Sequence, residues 1–239
     1  MNRVLIALAI LLLIAAPSEA QQISIDLGEG TSLSGRVFHL LALVTVLSLV
    51  PGLAVMITCF PFIVTTLSIL RQAIGLQQSP PNMLIVSLAL FLTWFVMEPV
   101  FTTAWEQGLG PLTRNELDLG PAFEATLAPF RLFMTARLDL DTFLELQSLR
   151  PAAAVAPIDA PLSLLVPSFL LSEIQRAFEI GFLIFLPFLI IDLVVAAVLM
   201  SMGMMMVPPA VVSLPFKLAF FVVADGWALI SGALVRGYF

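Results

Sequence analysis

Asp192 and Lys217 are the groups best placed to do chemistry in this chain, because each lies inside an otherwise apolar stretch. Between them run 24 consecutive residues without a formal charge. Asp225 follows in the next apolar segment, and Glu173 precedes the run near the edge of a more polar region. Charged side chains at membrane depth are costly, commonly face the protein interior and usually pair. Two kinds of chemistry fit this set. The groups could relay protons or ions, or they could form salt bridges that fix helices or subunits in register. The second reading leads, because Asp192 and Lys217 flank a loop and suit a pair that clamps its two arms.

That loop is Met200-Ser201-Met202-Gly203-Met204-Met205-Met206-Val207-Pro208-Pro209. Methionine is unbranched, flexible and polarizable, so it fills irregular gaps without binding anything tightly. Five of the seven residues from Met200 to Met206 are methionine, three of them consecutive. Three in a row face all directions of a helix, which packing on one face does not require. Pro208 and Pro209 remove two N–H donors and are expected to end the preceding helix. Irregular backbone at membrane depth is tolerated only where protein or a water-filled cavity surrounds it. The pattern predicts a soft apolar loop lining a constriction, with Met202, Met204, Met205 and Met206 as its gasket.

The remaining chemistry is sparse. Cys59 and His39 are single examples of their types, which excludes an internal disulfide and leaves no ligand set for a metal. Gly28-Glu29-Gly30-Thr31 lacks the Gly-Lys-Ser/Thr that a phosphate loop requires. No Ser/His/Asp set or paired cysteine is present, so the chain does not read as an enzyme and calls for no cofactor. A net charge of −6 with one lysine argues against nucleic-acid binding. Hydrophobic residues make up 60% of the 239 and charged residues 11%, against about 25% charged in ordinary globular chains. This is the composition of an integral membrane protein.

The elements that must position these groups follow from charge and proline spacing. Residues 1–20 read as a secretory signal: Arg3, the apolar run Val4 to Ala16, then a Ser18/Ala20 cleavage site. Residues 21–36 read as an extended arm. Residues 37–99 read as a first apolar helical pair, broken at Pro51-Gly52 and Pro61, with Asn82 capping a helix that ends or kinks at Glu98-Pro99. Residues 100–172 carry most of the charge and read as a water-facing, amphipathic helical insert. Phe123, Leu127, Phe130, Met134 and Leu138 recur there at helical spacing, and Asp139 or Asp141 caps a helix bearing Phe143 and Leu146. Phe133 and Phe143 sit in this polar region, as the core of a small hairpin or, more sharply, as a pore-lining ring. Residues 173–239 read as a second helical pair joined by the methionine loop. The expected fold is all-α: membrane-associated helical hairpins with an amphipathic insert.

Several of these motifs carry a family resemblance. Phe185-Leu186-Pro187-Phe188-Leu189-Ile190-Ile191-Asp192, Met202-Gly203-Met204-Met205-Met206, Ser213-Leu214-Pro215-Phe216-Lys217 and Asp225-Gly226-Trp227 resemble the FliP/SctR family of type III secretion export-gate subunits. Leu70-Arg71-Gln72-Ala73-Ile74-Gly75 followed by Pro80-Pro81-Asn82 is similar to it too. The resemblance runs from about residue 37 and is most specific in the C-terminal third. It implies a homopentamer assembled with FliQ and FliR into a helical pore, alongside FlhA and FlhB, in the inner membrane at the flagellar basal body. Unfolded flagellar subunits would pass through that pore. The family's methionine gasket maps onto Met204, Met205 and Met206, and its pore phenylalanines onto Phe133 and Phe143, although the spacing between those two is shorter than the family pattern. The signal segment and the long insert favour the flagellar branch over the injectisome branch. A small-solute or ion transporter would instead need polar groups facing the bundle interior, which are few.

Overall fold

The computed structural model describes residues 33–76, 79–151, 154–204 and 206–239. The expected signal segment 1–20, the arm as far as residue 32 and Met205 lie outside the described residues. The chain divides into a unit ending at Ser48 and a unit Leu49–Phe239. Every element among the described residues is helical. Helix α1 is Leu33–Met56, so residues 33–36 of the expected arm are helical. Then come α2, Phe60–Ile74, and α3, Asn82–Ala104, which runs through a π-helical turn at Trp105–Leu109 into α4, Gly110–Thr113. The insert supplies α5, Leu119–Arg137, and α6, Leu140–Ser148. The C-terminal part consists of α7, Leu162–Ser201, α8, Pro209–Val223, and α9, Gly226–Arg236.

Helix α2 is the central packing element. Pro61 lies in its first turn, where a missing N–H costs nothing. Gly75 closes it with a left-handed φ of 90°. Phe62, Ile63, Thr66, Leu67, Leu70, Ala73 and Ile74 are buried along one stripe of 3.6-residue period. That stripe packs on α7, whose own buried face includes Ser172, Glu173, Ala177, Gly181 and Phe188. The two helices pack tightly at Gly181, where a Cβ atom would lie 2.5 Å from Ile69 Cδ1.

A second apolar cluster sits in the insert, around Met134, Phe143, Ala160, Leu165 and Phe169. Its polar ties close the loop between α6 and α7. Asp139 caps α6 by accepting from Thr142 N at 2.8 Å, Gln147 donates to Val155 O at 3.0 Å, and Arg131 donates to the carbonyls of Ile158 and Ala160.

Some prolines begin helices, as at Pro61, Pro81, Pro161 and Pro209, but others do not mark an end. Helix α1 passes through Pro51-Gly52, and the break comes at residues 57–59. Pro99 lies inside α3, and Pro167 and Pro187 inside α7. Neighbouring helices and side chains can re-satisfy the backbone groups that proline frees in an apolar bundle. Asn82 is the first residue of α3 rather than its cap, and its Oδ1 accepts from Arg71. The boundaries expected at 99/100 and 172/173 therefore fall inside helices.

Helix α7 has 40 residues, a length of roughly 60 Å at 1.5 Å per residue, about twice a ~30 Å hydrocarbon core. By length and composition, Asn82–Thr113 and Leu162–Ser201 can each cross a membrane. Helices α8 and α9 pass the same test together, bent by 61°. The chain is a membrane protein.

Candidate functional site

The methionine loop joins α7 to α8, and glycine rather than proline ends the first of these helices. Gly203 has φ of 74°. Its N–H bonds Met200 O at 3.1 Å, and Met204 N–H bonds Leu199 O at 2.9 Å. This 5→2 and 6→1 pair is the Schellman arrangement, which satisfies the last helical carbonyls and turns the chain away. Pro208 and Pro209 instead begin α8, Pro209 as its first residue. Met202, Met204 and Met206 are 67%, 41% and 98% exposed. Below the loop, an apolar groove of about 440 Å³ runs between α7 and α8, lined by Ile191, Val194, Val195, Val198, Val212 and Phe216.

Both arms of the loop are tied by charge. Lys217 Nζ lies 2.6 Å from Asp192 Oδ2, and Ser213 Oγ donates to Asp192 Oδ1 at 2.6 Å. Ser213 and Lys217 are four residues apart, so they occupy one face of α8 and grip both oxygens of one α7 carboxylate. Lys217 Nζ also donates to Ala73 O at 3.1 Å. That carbonyl belongs to the last turn of α2, where unsatisfied carbonyls and the negative end of the helix dipole favour a cation. One ammonium group thus ties α2, α7 and α8 together, and it is 6% exposed.

Glu173 belongs to a separate network and does not approach Lys217 as a partner. It is fully buried. Its Oε1 faces Arg137 Nε at 3.3 Å, and its Oε2 accepts from Tyr238 Oη at 2.5 Å. Arg137 also donates to Gly237 O at 2.7 Å and stacks 4.0 Å above the Tyr238 ring. Asp225 was expected in the same charge-pairing set, between helices or between subunits. It is exposed and, among the described residues, has no ion pair. Its φ of 48° places it in the left-handed region that aspartate tolerates, and it forms the corner between α8 and α9. Gly226 follows because a Cβ there would lie 2.2 Å from the Phe221 ring.

The two singled-out phenylalanines differ. Phe143 is 0% exposed in the insert core, the plainer of its two expected places. Phe133 is half-buried, edge-on to Phe169 at 5.8 Å and stacked on Tyr238 at 6.1 Å.

A family model described as the FliP family matches residues 43–234. The chain belongs to the FliP family. It is 49% identical over 238 residues to the flagellar biosynthetic protein FliP of Caulobacter vibrioides, covering 98% of this chain and 89% of that protein. The corresponding protein of Agrobacterium fabrum is 44% identical over 245 residues, covering both chains fully. That of Bacillus subtilis is 45% identical over 202 residues, covering 83% of this chain and 90% of the other.

Among the described residues, no group of three or more His, Cys, Asp or Glu converges where a metal could sit. Ser213, Arg137 and Tyr238 are the site residues that the sequence reading passed over. The signal for Ser213 was its position four residues before Lys217; that for Tyr238 was its being the chain's single tyrosine.

Proposed function

We propose that this FliP-family chain is a core subunit of the flagellar type III protein export gate, and that its methionine loop is the seal of the pore. The observation that carries this reading is the loop itself. Exposed methionines sit on a turn whose two arms are locked by the Asp192–Ser213–Lys217 contacts. A gate for unfolded chains must admit varied side chains and exclude water and ions when closed. Apolar constrictions close by dewetting, and flexible thioethers can retreat around a moving chain without a charge that would hold it. Rigid arms with a soft tip suit that task.

In this reading Met202, Met204, Met205 and Met206 form the gasket and Phe133 an aromatic constriction further along, with Phe143 backing it from the insert core. Five copies assemble with FliQ and FliR, beside FlhA and FlhB, in the bacterial inner membrane within the flagellar basal body. Part of the assembly faces the periplasm, and unfolded flagellar subunits are the cargo. The buried charges hold helices in register and do not conduct.

The test replaces Met204 and Met206 with serine in the assembled complex. Small-ion leak through the reconstituted complex should rise while flagellar subunits are still exported. An assembled double variant as tight to ions as the wild type would refute the gasket.

A further inference from the structure

We propose that Tyr238 is a positioning residue for the gate, holding the Phe133 ring in place through a stack that is itself anchored on the buried Glu173 carboxylate. This rests on the export-gate reading above.

Phe133 on α5 is half-buried and lines an apolar groove of about 430 Å³ between α3 and α5. Two rings fix it from behind. Phe169 meets it edge-on, with centroids 5.8 Å apart and planes at 65°. Tyr238 stacks on it with planes at 15° and centroids 6.1 Å apart. Without the second ring, Phe133 could rotate into the space behind it.

Tyr238 has little freedom of its own. Phe62 of α2 packs against it at 74° and 5.7 Å. The Arg137 guanidinium covers its ring, and the same group holds the carbonyl of Gly237. The hydroxyl donates to Glu173 Oε2. That bond explains why the residue is tyrosine and not phenylalanine. Glu173 is completely enclosed, and its remaining ionic contact, to Arg137, is long at 3.3 Å. A buried carboxylate oxygen with no donor is strongly unfavourable, so the phenol is needed wherever the carboxylate is kept. The carboxylate in turn orients the ring that supports Phe133. Phe95 of α3 packs edge-on to Phe239, 6.5 Å away, so the segment after α9 is fixed on both sides of Tyr238.

The ring and the hydroxyl can be separated experimentally. Tyr238→Phe with Glu173→Gln keeps an aromatic stack and removes the stranded charge. Tyr238→Leu with Glu173→Gln removes the stack and leaves Arg137 without its carboxylate, as the first variant does, so the two differ in the ring alone. Each is expressed with the other export-gate subunits, and the purified complex is reconstituted in vesicles for small-ion leak. Tyr238→Phe/Glu173→Gln should assemble and leak less than Tyr238→Leu/Glu173→Gln, because Phe62 and the Arg137 guanidinium still hold the ring once the anchoring hydrogen bond is gone. Tyr238→Leu/Glu173→Gln should assemble and leak more by roughly two- to tenfold, the population shift expected from losing one aromatic stack. Equal leak from the two variants would overturn the proposal, as would failure of the leucine variant to assemble, which would make the segment a folding requirement alone. Met204→Ser/Met206→Ser serves as the control. If it leaks while the leucine variant stays tight, the positioning role fails and the gate reading stands. If it stays tight, the gate reading fails and this inference with it.

Discussion

Removing either member of the Lys217–Asp192 pair should destabilise the protein, and by unequal amounts. Breaking a buried pair by deleting one partner costs about 3–5 kcal/mol, because the other charge is left uncompensated. Lys217→Met strands Asp192, but that side chain is 33% exposed and keeps the Ser213 hydroxyl. Its cost belongs at the low end, about 3 kcal/mol. Asp192→Leu strands an ammonium whose side chain is 7% exposed and whose remaining contact is Ala73 O. Its cost belongs at the high end, about 5 kcal/mol. The double variant Asp192→Leu/Lys217→Met strands no charge. Ser213 still donates to Ala210 O, and the loss falls on Ala73 O, an under-satisfied carbonyl worth about 1–2 kcal/mol. Unfolding titrations of the detergent-purified protein, run as a double-mutant cycle, therefore give Asp192→Leu as the worst, Lys217→Met next and the double variant as the best of the three. Additive single effects below 1 kcal/mol would refute the argument that this ammonium holds three helices.

Three further outcomes follow from backbone and packing. Gly203→Ala meets no atom within 4 Å but must adopt φ of 74°, so it costs about 1–2 kcal/mol from the left-handed backbone alone; Gly203→Asn, which tolerates that region, should recover part of this in the same assay. Gly181→Ala places a Cβ 2.5 Å from Ile69 Cδ1 and should destabilise by about 1–3 kcal/mol, and Ile69→Val should lessen the loss. Hydrogen bonds from Thr142 hold the Asp139 carboxyl below its ordinary value. Its stabilisation is therefore complete above the unfolded pKa of about 3.9 and is lost as pH falls through the depressed folded value; the stability difference between wild type and Asp139→Ala should be full at neutral pH and vanish in acid.

Much of the fold was legible because composition and charge spacing are strong signals in an apolar chain. The uncharged run between Asp192 and Lys217 marked the loop and its two arms, and a cap at Asp139 or Asp141 was readable from their place before Phe143. Helix ends were not. Pro51, Pro99 and Pro187 lie inside helices, whereas the breaks fall at Thr58-Cys59, Gly203 and Asp225-Gly226. In a bundle the surrounding protein decides whether a proline interrupts, and one sequence does not display that surrounding. The partners of Glu173 were hidden for a related reason: Arg137 and Tyr238 lie 36 and 65 residues away, and no periodicity links them. Glu173 itself sits on the packed face of its helix. It lies on that face because the two donors make its burial tolerable. A sharp corner between α8 and α9 carries Asp225 to the surface, which its apolar neighbours in the sequence do not show.

The central claim is that the methionine loop touches the exported chain. With Cys59 replaced by alanine, single cysteines at positions 202, 204 and 206 can be tested for cross-linking to a cysteine-bearing flagellar subunit arrested in export by a folded C-terminal fusion. The account predicts cross-links from 204 and 206 to the arrested subunit, and none from a cysteine at Leu193 on the exposed side of α7. Cross-links from position 193 with none from the loop would contradict it.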